Sequence, residues 1–501
     1  MSKKIIIIGS GFSSLSASCY LAKAGYDVTI LEKNDDVGGR ARVLIKNGFK
    51  FDIGPTWYWM PDVFEKFFHD FGKKTTNYYD LEKLAPAYEV YFDKLSSIII
   101  PDKIEDIYEV FEKEEPGSSV FLKKFLKDAQ RNYEIAINKL VYMPGESITE
   151  LITFETMKKA NLFFKSISSS LKNKIKSKKL IQILEFPVLF LGAKPSNTPS
   201  FYNFMNYADF GLGTWHPKGG MYEVVKAFVA LAEELGVKIK TNQNVQKITV
   251  ENNAIKGVLV ENEFIPADIV VSGADYHHTE SLLEKPNRMY SESYWNKRTF
   301  APSALLFFVG FDKKIENISH HTLFFDSDFE KHAVEIYDTA KWPKKPLFYA
   351  SFPSKMDKSF APDGMEVGTF LIPIAPGIED IPEIREEYFL KIMKRFENLT
   401  NQSVMDAIIY KQSYCIKDFE KDYNSFKGNA YGLANTLMQT AVLRPKIKSK
   451  KVQNLYFTGQ LTVPGPGVPP SIISGKIVSD LVQKTTAKQR FKPIIKDEAI
   501  I

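Results

Sequence analysis

The groups best suited to chemistry lie near the N-terminus: Gly9-Ser10-Gly11-Phe12-Ser13-Ser14, then Glu32, then Val37-Gly38-Gly39-Arg40-Ala41-Arg42. A glycine at position 9 lets the chain turn sharply, and one at position 11 lets backbone N–H groups come close to a pyrophosphate. That anion then sits on the positive end of the following helix. Glu32 falls where a carboxylate accepts hydrogen bonds from a ribose 2′-OH. Arg40 offers a guanidinium for paired, charge-assisted bonds to phosphate; its plainer role is a surface ion pair. Together these residues point to a bound dinucleotide. The plainer alternative is a βαβ unit that binds nothing.

The elements that must position them follow the same order. Residues 3–8 form an apolar run, 15–23 a helical pattern, and 28–31 a second apolar run ending at Glu32. Strand, glycine turn, helix, strand and acid make up a dinucleotide unit. The third glycine of the usual fingerprint, which allows close helix–strand packing, is Ser14 here. The substitution predicts slightly looser packing and an intact site.

A chain of 501 residues is long enough for two or three domains, or one large split one. Apolar residues make up 44% and charged residues 25%, as in soluble globular proteins. Aromatics at 13% suit an apolar cavity as well as a large core. Cys19 and Cys415 supply neither a disulfide framework nor a thiolate metal site, which fits a reducing cytoplasm. The first strand begins at Lys3, so no cleavable signal is expected before it, and no apolar run reaches the ~18 residues that span a bilayer. A net charge of +6 does not argue for nucleic acid.

Further along, 49–53 reads as a strand stopped by Gly54-Pro55, and Thr56-Trp57-Tyr58-Trp59-Met60-Pro61 leads into a helix over 61–71. Residues 87–92 and 96–100 read as a hairpin, and 104–193 as mostly helical. Residues 157–184 hold eight lysines (Lys158, Lys159, Lys165, Lys172, Lys174, Lys176, Lys178 and Lys179) and no acid. They run into the apolar stretch 180–193, which contains Glu185 and Pro187. A basic segment beside a short apolar one suits insertion into an anionic membrane surface; a lysine face beside a core helix is the other reading. Pro217-Lys218-Gly219-Gly220-Met221 opens a helix over 222–235, and strand patterns follow at 237–241, 245–250, 255–260 and 267–271. Residues 303–311 and 367–374 read as strands and 384–397 as a helix. A last strand at 454–459 feeds the Gly/Pro loop 459–470 and a helix over 471–482. Such a loop at a helix N-terminus is a second place to hold phosphate or flavin oxygens.

Five separated segments resemble the carotenoid desaturase branch of the flavin amine oxidase superfamily, over nearly the whole chain. They are the Gly9 to Glu32 unit, Gly38-Gly39-Arg40, the Phe51 to Pro61 segment, Pro217 to Met221 with its helix, and the Gly459 to Ser471 loop and helix. Asp52-Ile53-Gly54-Pro55-Thr56-Trp57 and Pro464-Gly465-Pro466-Gly467-Val468-Pro469 look like the bacterial phytoene desaturase pattern. The family loop carries Thr-His-Pro-Gly where this chain has Thr462-Val463-Pro464-Gly465, so no role of that histidine carries over.

The resemblance implies an α/β fold: a Rossmann-type FAD-binding domain built from separated segments (1–75, 215–290 and 449–485). It also implies a mixed α+β substrate domain (291–448), a helical substrate and membrane-contact region (76–214), and a mobile tail (486–501). It implies FAD held by Gly9, Gly11, Phe12, Ser13, Gly39 and Arg40 at the phosphates and by Glu32 at the adenosine ribose. Lys33 belongs to the same set. Val245 meets the adenine through its backbone, Thr56 and Trp57 border the flavin ring, Gly459 and Gln460 face the ribityl phosphate side, and Val468 lies by the ring edge. The implied activity is desaturation of a long polyene, phytoene towards lycopene, by hydride transfer to flavin. The enzyme would sit peripherally on the inner face of the membrane, with oxygen or a quinone as electron acceptor.

Flavin chemistry needs no nucleophile and no metal from the protein. The pairs His277-His278 and His320-His321 lack metal-ligand spacing, so structural or surface roles are expected. No catalytic residue is assigned. Asp209 is a candidate carboxylate for a cation-like transition state, although as a loop acid it is expected to be solvated. Trp57, Tyr58, Trp59 and Met60 serve equally as tunnel mouth or plain core. The rival activities are a hydroxycarotenoid 3,4-desaturase, a carotene isomerase and an FAD amine oxidase. A prenyl-lipid escort protein is the non-enzymatic rival.

Overall fold

The computed structural model describes residues 2–147, 150, 162 and 165–490. Its first sheet has five parallel strands: β1 (Lys4–Ile8), β2 (Asp27–Leu31), β3 (Lys238–Lys240), β4 (Ile269–Ser272) and β5 (Leu455–Phe457). Their order is β5-β4-β1-β2-β3, with Ile5 opposite Val28 on one side and Ile269 on the other. A parallel sheet is covered on both faces, which is why its strands read as unbroken apolar runs. Three remote stretches of chain therefore build one sheet.

Helix α1 (Phe12–Lys23) is buried from Phe12 to Leu21. Helices α4 (Met221–Glu234) and α5 (Val468–Arg490) pack against it. The α1–α5 contact is close because small residues meet there. A Cβ on Gly475 would lie 2.5 Å from the Ser13 carbonyl oxygen and 2.6 Å from Ser16 Cβ, and the Ser16 hydroxyl donates to Ile472 O at 2.8 Å. Helix α5 starts three residues earlier than the sequence pattern indicated and continues through Arg490, so residues 486–490 are helix rather than tail. Residues 491–501 lie outside the described ones.

The second sheet has seven strands in the order Ile408–Tyr414, Ser303–Phe311, Glu366–Ile374, Phe348–Ser351, His321–Phe324, Tyr88–Asp93 and Ser96–Ile100. One face packs on the helix Pro382–Thr400 through Phe307, Phe370, Ile392 and Phe396. Its edge pair, Tyr88–Asp93 and Ser96–Ile100, is the hairpin read from sequence.

Between the sheets lie helices α2 (Pro61–His69) and α3 (Lys178–Leu189) and a helical run over 200–211. Of the two readings of the apolar stretch, a membrane surface or a core helix, its helical part takes the second. Leu180, Ile183, Leu184 and Val188 of α3 are fully buried in the core. Its apolar residues pack into the molecule's own interior. Lys165, Lys172, Lys174, Lys176 and Lys178 remain exposed, whereas Lys158 and Lys159 lie outside the described residues. Among the described residues no helix is long and apolar enough to cross a membrane, and no cluster of three metal-ligating side chains occurs.

Candidate active site

The glycine unit forms where β1 ends. Gly9 has φ +86° and donates its N–H to Leu31 O at 2.8 Å, so the turn is tied to β2. Gly11 is the residue before α1, and a Cβ there would meet no atom within 4 Å. Glu32, buried directly after β2, has both carboxylate oxygens engaged: Oε2 accepts from Ser10 N–H at 2.8 Å and Ser10 Oγ–H at 2.7 Å, and Oε1 accepts from Asn34 N–H at 3.0 Å. Oε1 keeps a further lone pair, so the acid both fixes the turn and can take a ribose hydroxyl.

Two other sequence-predicted segments converge on this turn. Gly38 donates its N–H to Ser10 O at 3.1 Å, and a Cβ on Gly39 would lie 3.1 Å from Gly11 Cα. A Cβ on Gly459 would lie 3.1 Å from Ser13 Oγ, and the Gly459 N–H donates to Ser474 Oγ at 3.0 Å. All three glycines have positive φ, so their conformation as well as the space favours glycine.

Arg40 is partly buried, with Nη2 donating to Ser425 Oγ and Asn429 O, both at 3.3 Å, and its guanidinium 5.0 Å from the Tyr423 ring centre. Its Nε has no hydrogen-bond partner, and no carboxylate forms an ion pair with it, among the described residues. The surface ion pair is thereby set aside. Burial pulls the guanidinium below its ordinary value, against the opposing pull of the Asp275 carboxylate. Gln460 reaches the same backbone segment, donating to Asn429 Oδ1 at 3.4 Å. Lys33 turns to the neighbouring stretch, donating to Lys421 O and Asn424 Oδ1.

The profile of the flavin-containing amine oxidoreductases matches residues 12–483. The chain belongs to that family. Within it, the chain groups with the carotenoid desaturases. It is 41% identical to the carotenoid 3,4-desaturase of Haloarcula japonica over 476 residues, covering 94% of this chain and 96% of that protein. It is 30% identical to a 4,4′-diapophytoene desaturase of Staphylococcus aureus, covering 95% and 98%. In fold it resembles an oxidoreductase from Methanosarcina mazei (TM-score 0.60, 18% identity, 95% and 100% covered). It also resembles cyclohexylamine oxidase from Brevibacterium oxydans (TM-score 0.57, 14% identity, 97% and 100% covered).

As a member, the protein is an FAD-dependent oxidoreductase, and the donor set fits that cofactor. Open space at Gly11, a buried guanidinium at Arg40 with an unpartnered Nε among the described residues and a buried carboxylate at Glu32 match a diphosphate and a ribose in charge and hydrogen-bonding type. The remaining predicted residues fall in two groups. Thr56 and Trp57 reach the second sheet, as described below. Val245 is buried at the start of the strand Val245–Glu251, just after Gln243, whose N–H donates to Glu32 O at 2.7 Å. Val468 is the first residue of α5, following Gly467 with φ +112°. Phe12, the first residue of α1, packs edge-on to Phe228 in the core at 5.2 Å, so only its backbone is available to a phosphate.

Ser14 does not loosen the packing. It is fully buried, and a Cβ built on Gly273, just past β4, would lie 2.0 Å from Ser14 Oγ. The small residue that the fingerprint asks of the helix is supplied by the facing strand end instead.

Several functional groups had no signal in the sequence. Trp57 stacks on His321 (ring centres 4.0 Å apart, 13° between planes) and is surrounded by Trp59, Tyr88, Phe186, Phe190 and Tyr349 at 5.2–5.8 Å. His321 Nδ1 lies 2.7 Å from the Tyr349 hydroxyl, which lies 2.8 Å from Thr56 Oγ1. Burial and the neighbouring His320 hold the His321 imidazole well below its usual range, so it is neutral at pH 7. His320 and His321 are thus buried groups beside this aromatic cluster, while His277 bonds Glu292 near the surface. Tyr58 stacks on Phe64 at 4.2 Å, and Trp59 and Met60 are buried, so these three are core.

Asp209 is not solvated. It is 2% exposed, and its Oδ2 accepts from the Tyr88 hydroxyl at 2.8 Å. Burial pushes its carboxyl up to about 8, against the pull of the Tyr88 and Thr214 hydroxyls. Arg444, also missed, is buried and donates to Thr462 O and Gln460 O at 2.8 Å, holding the loop after β5 from behind. Its partners are neutral carbonyls and an Asn side chain, so no charge pairing marked it in the sequence.

Proposed function

We propose that the protein is a carotenoid desaturase that introduces a C=C bond into a long apolar polyene, with bound FAD accepting the hydride. The observation that carries this reading is the cluster of aromatic rings packed around Trp57. Six aromatic rings surround Trp57, the neighbour of Thr56, and no nucleophile, metal set or cationic cluster stands among them. Such a wall binds a hydrocarbon, keeps water away and leaves the redox step to the cofactor. The 41% identity with a 3,4-desaturase supports the 3,4 bond of a carotenoid as the target. Phytoene, towards lycopene, is the second reading, favoured by the diapophytoene desaturases at 30%.

In this proposal Gly9, Gly11, Phe12, Ser13, Gly39 and Arg40 hold the pyrophosphate, with Lys33 and Glu32 on the adenosine side and Val245 at the adenine. Gly459, Gln460 and Val468 face the flavin half, and Thr56 and Trp57 border its ring. The split FAD segments 1–75, 215–290 and 449–485 agree with the origin of the strands of the first sheet. The exposed lysines at 165 and 172–178 suit an anionic membrane surface on the cytoplasmic side, where the polyene and a quinone acceptor dissolve; oxygen is the alternative acceptor.

The test is to incubate the purified holoprotein with polyenes in liposomes and weigh the products. Loss of two hydrogens per step is expected. Unchanged mass would make it an isomerase, and peroxide from simple amines with no change in any polyene would overturn the proposal.

A further inference from the structure

The guanidinium of Arg444 is a buried charge without an opposite. The residue is 2% exposed, and every N–H of its head group is used. Nε donates to Thr462 O, Nη1 to Asn435 Oδ1 and Gln439 O, and Nη2 to Leu433 O and Gln460 O. All these acceptors are neutral, and no carboxylate forms an ion pair with Arg444 among the described residues. Burial pulls the group down to about 10, so it still carries its charge at neutral pH. Full hydrogen bonding removes the cost of unmet donors but leaves the charge itself in a poorly screening interior, where a cation is costly unless a negative charge completes it.

Its position indicates which negative charge. Gln460 and Thr462 belong to the loop over 459–467, which starts at Gly459 beside Ser13 of the glycine unit and ends at α5. Asn435, held by Arg444, underlies the same loop: a Cβ on Gly465 would lie 2.8 Å from Asn435 Nδ2. The other buried guanidinium near the glycine unit, Arg40, is opposed by Asp275. Helix α5 is a poor substitute for a cation here. Two of its first three residues, Pro469 and Pro470, have no N–H, and the Ser471 N–H is turned to Gly467 O at 3.0 Å.

We propose that Arg444 tunes the bound flavin as an electron acceptor: its uncompensated charge, fixed behind the loop over 459–467, favours the reduced cofactor over the oxidised one. Hydride uptake adds negative charge to the flavin half of FAD, and a preorganised cation in a low-dielectric interior stabilises that charge. Because its N–H groups are all engaged with protein, Arg444 acts across the loop and through space. It is a positioning residue for the redox step. The inference rests on the placement of Gly459, Gln460 and Val468 at the flavin half, proposed above.

The experiment reduces the FAD-bound full chain slowly beside a dye of known potential and reads the ratio of reduced to oxidised flavin from absorbance. Arg444→Gln removes the charge. Asn435→Asp keeps Arg444 and its bonds and sets a carboxylate against Nη1, cancelling the charge without opening a cavity. Both should lower the ratio at fixed potential about tenfold or more, a fall of about 30 mV or more for a two-electron couple. Arg444→Lys, which keeps the charge and loses the fork, should stay within about threefold of the wild type. If Arg444→Gln does not fold, Asn435→Asp decides the matter alone. A ratio within about twofold of the wild type in Asn435→Asp overturns the proposal, because a purely structural clamp predicts that result. Weaker FAD binding at unchanged potential also overturns it and makes Arg444 a counter-ion of the pyrophosphate. Gln460→Glu, a carboxylate on the loop itself, separates this failure from that of the loop's placement. If it lowers the potential while Asn435→Asp does not, the placement stands and the proposal alone falls; if neither does, both fall.

Discussion

Ser14 and Gly273 offer a test of how the glycine turn is packed. A Cβ at Gly273 would sit 2.0 Å from Ser14 Oγ but 3.4 Å from Ser14 Cβ. Only the hydroxyl is in the way, and it is a buried group with no hydrogen-bond partner among the described residues. Gly273 does not have a positive φ, so alanine is acceptable to the backbone and the collision is the whole cost. The contact is at least 1 Å too short for heavy atoms, an overpacking that costs about 1–3 kcal/mol when helix and strand are both held. Ser14→Ala removes the offending atom and leaves an ordinary contact. Gly273→Ala should therefore destabilise, Ser14→Ala should be neutral or mildly stabilising, and the double variant should return to within about 0.5 kcal/mol of Ser14→Ala. For 501 residues the unfolding entropy is roughly 1 kcal/mol/K, so the single variant loses about 1–3 °C in Tm. A melt followed by flavin fluorescence resolves that difference. If Gly273→Ala melts with the wild type, or the double variant melts as low as the single, Ser14 is not the residue that replaces the missing glycine by leaning on Gly273.

Three further outcomes are expected. The Asp209 carboxyl, at about 8 in the fold and 3.8 when exposed, keeps a proton that the unfolded chain has released. Its contribution is fully present below pH 3.8 and is lost as pH rises to about 8. Asp209→Asn should gain stability relative to wild type across that window, by at most about 6 kcal/mol at pH 8.5; a Tm difference independent of pH refutes the assignment. Arg40→Ala should weaken FAD binding by about 10- to 100-fold in a fluorescence titration, the worth of charge-assisted phosphate bonds; a change under twofold means the guanidinium does not meet the cofactor. Gly475→Val places a Cβ 2.5 Å from the backbone oxygen of Ser13, which cannot swing aside. It should lower Tm by more than about 3 °C, and an unchanged melting curve shows that α1 and α5 are not in that contact.

What could be read in the sequence was whatever depends on backbone and on short range. Gly9, Gly11 and Glu32 lie within one βαβ unit, and their roles follow from φ, helix polarity and the length of a strand, so type and spacing suffice. The β1 and β2 runs declared a buried parallel sheet for the same reason. The sequence also contained the Gly38-Gly39 and Gly459 turns as conformational punctuation, but not the meeting of Gly459 with Ser13, which depends on β4 pairing with β1 and β5 with β4 across more than 180 residues of chain. Composition misled where an apolar stretch has two destinations. Helix α3 is as suited to a membrane surface as to a core, and only the surrounding aromatics, Trp57 and Trp59 among them, decided that it packs inward. Asp209, read as a loop acid, became a buried proton-bearing group because Tyr88 and the helical run close over it. Arg444 gave no signal at all, since an arginine is ordinary until every neighbour is known to be neutral. The sequence by itself determined the cofactor's class and the turn that grips it, because those are local backbone properties. The tertiary structure alone decided which distant side chains gather around Trp57 and which buried charge stays uncompensated, because burial and charge pairing are sums over every element that packs around a residue.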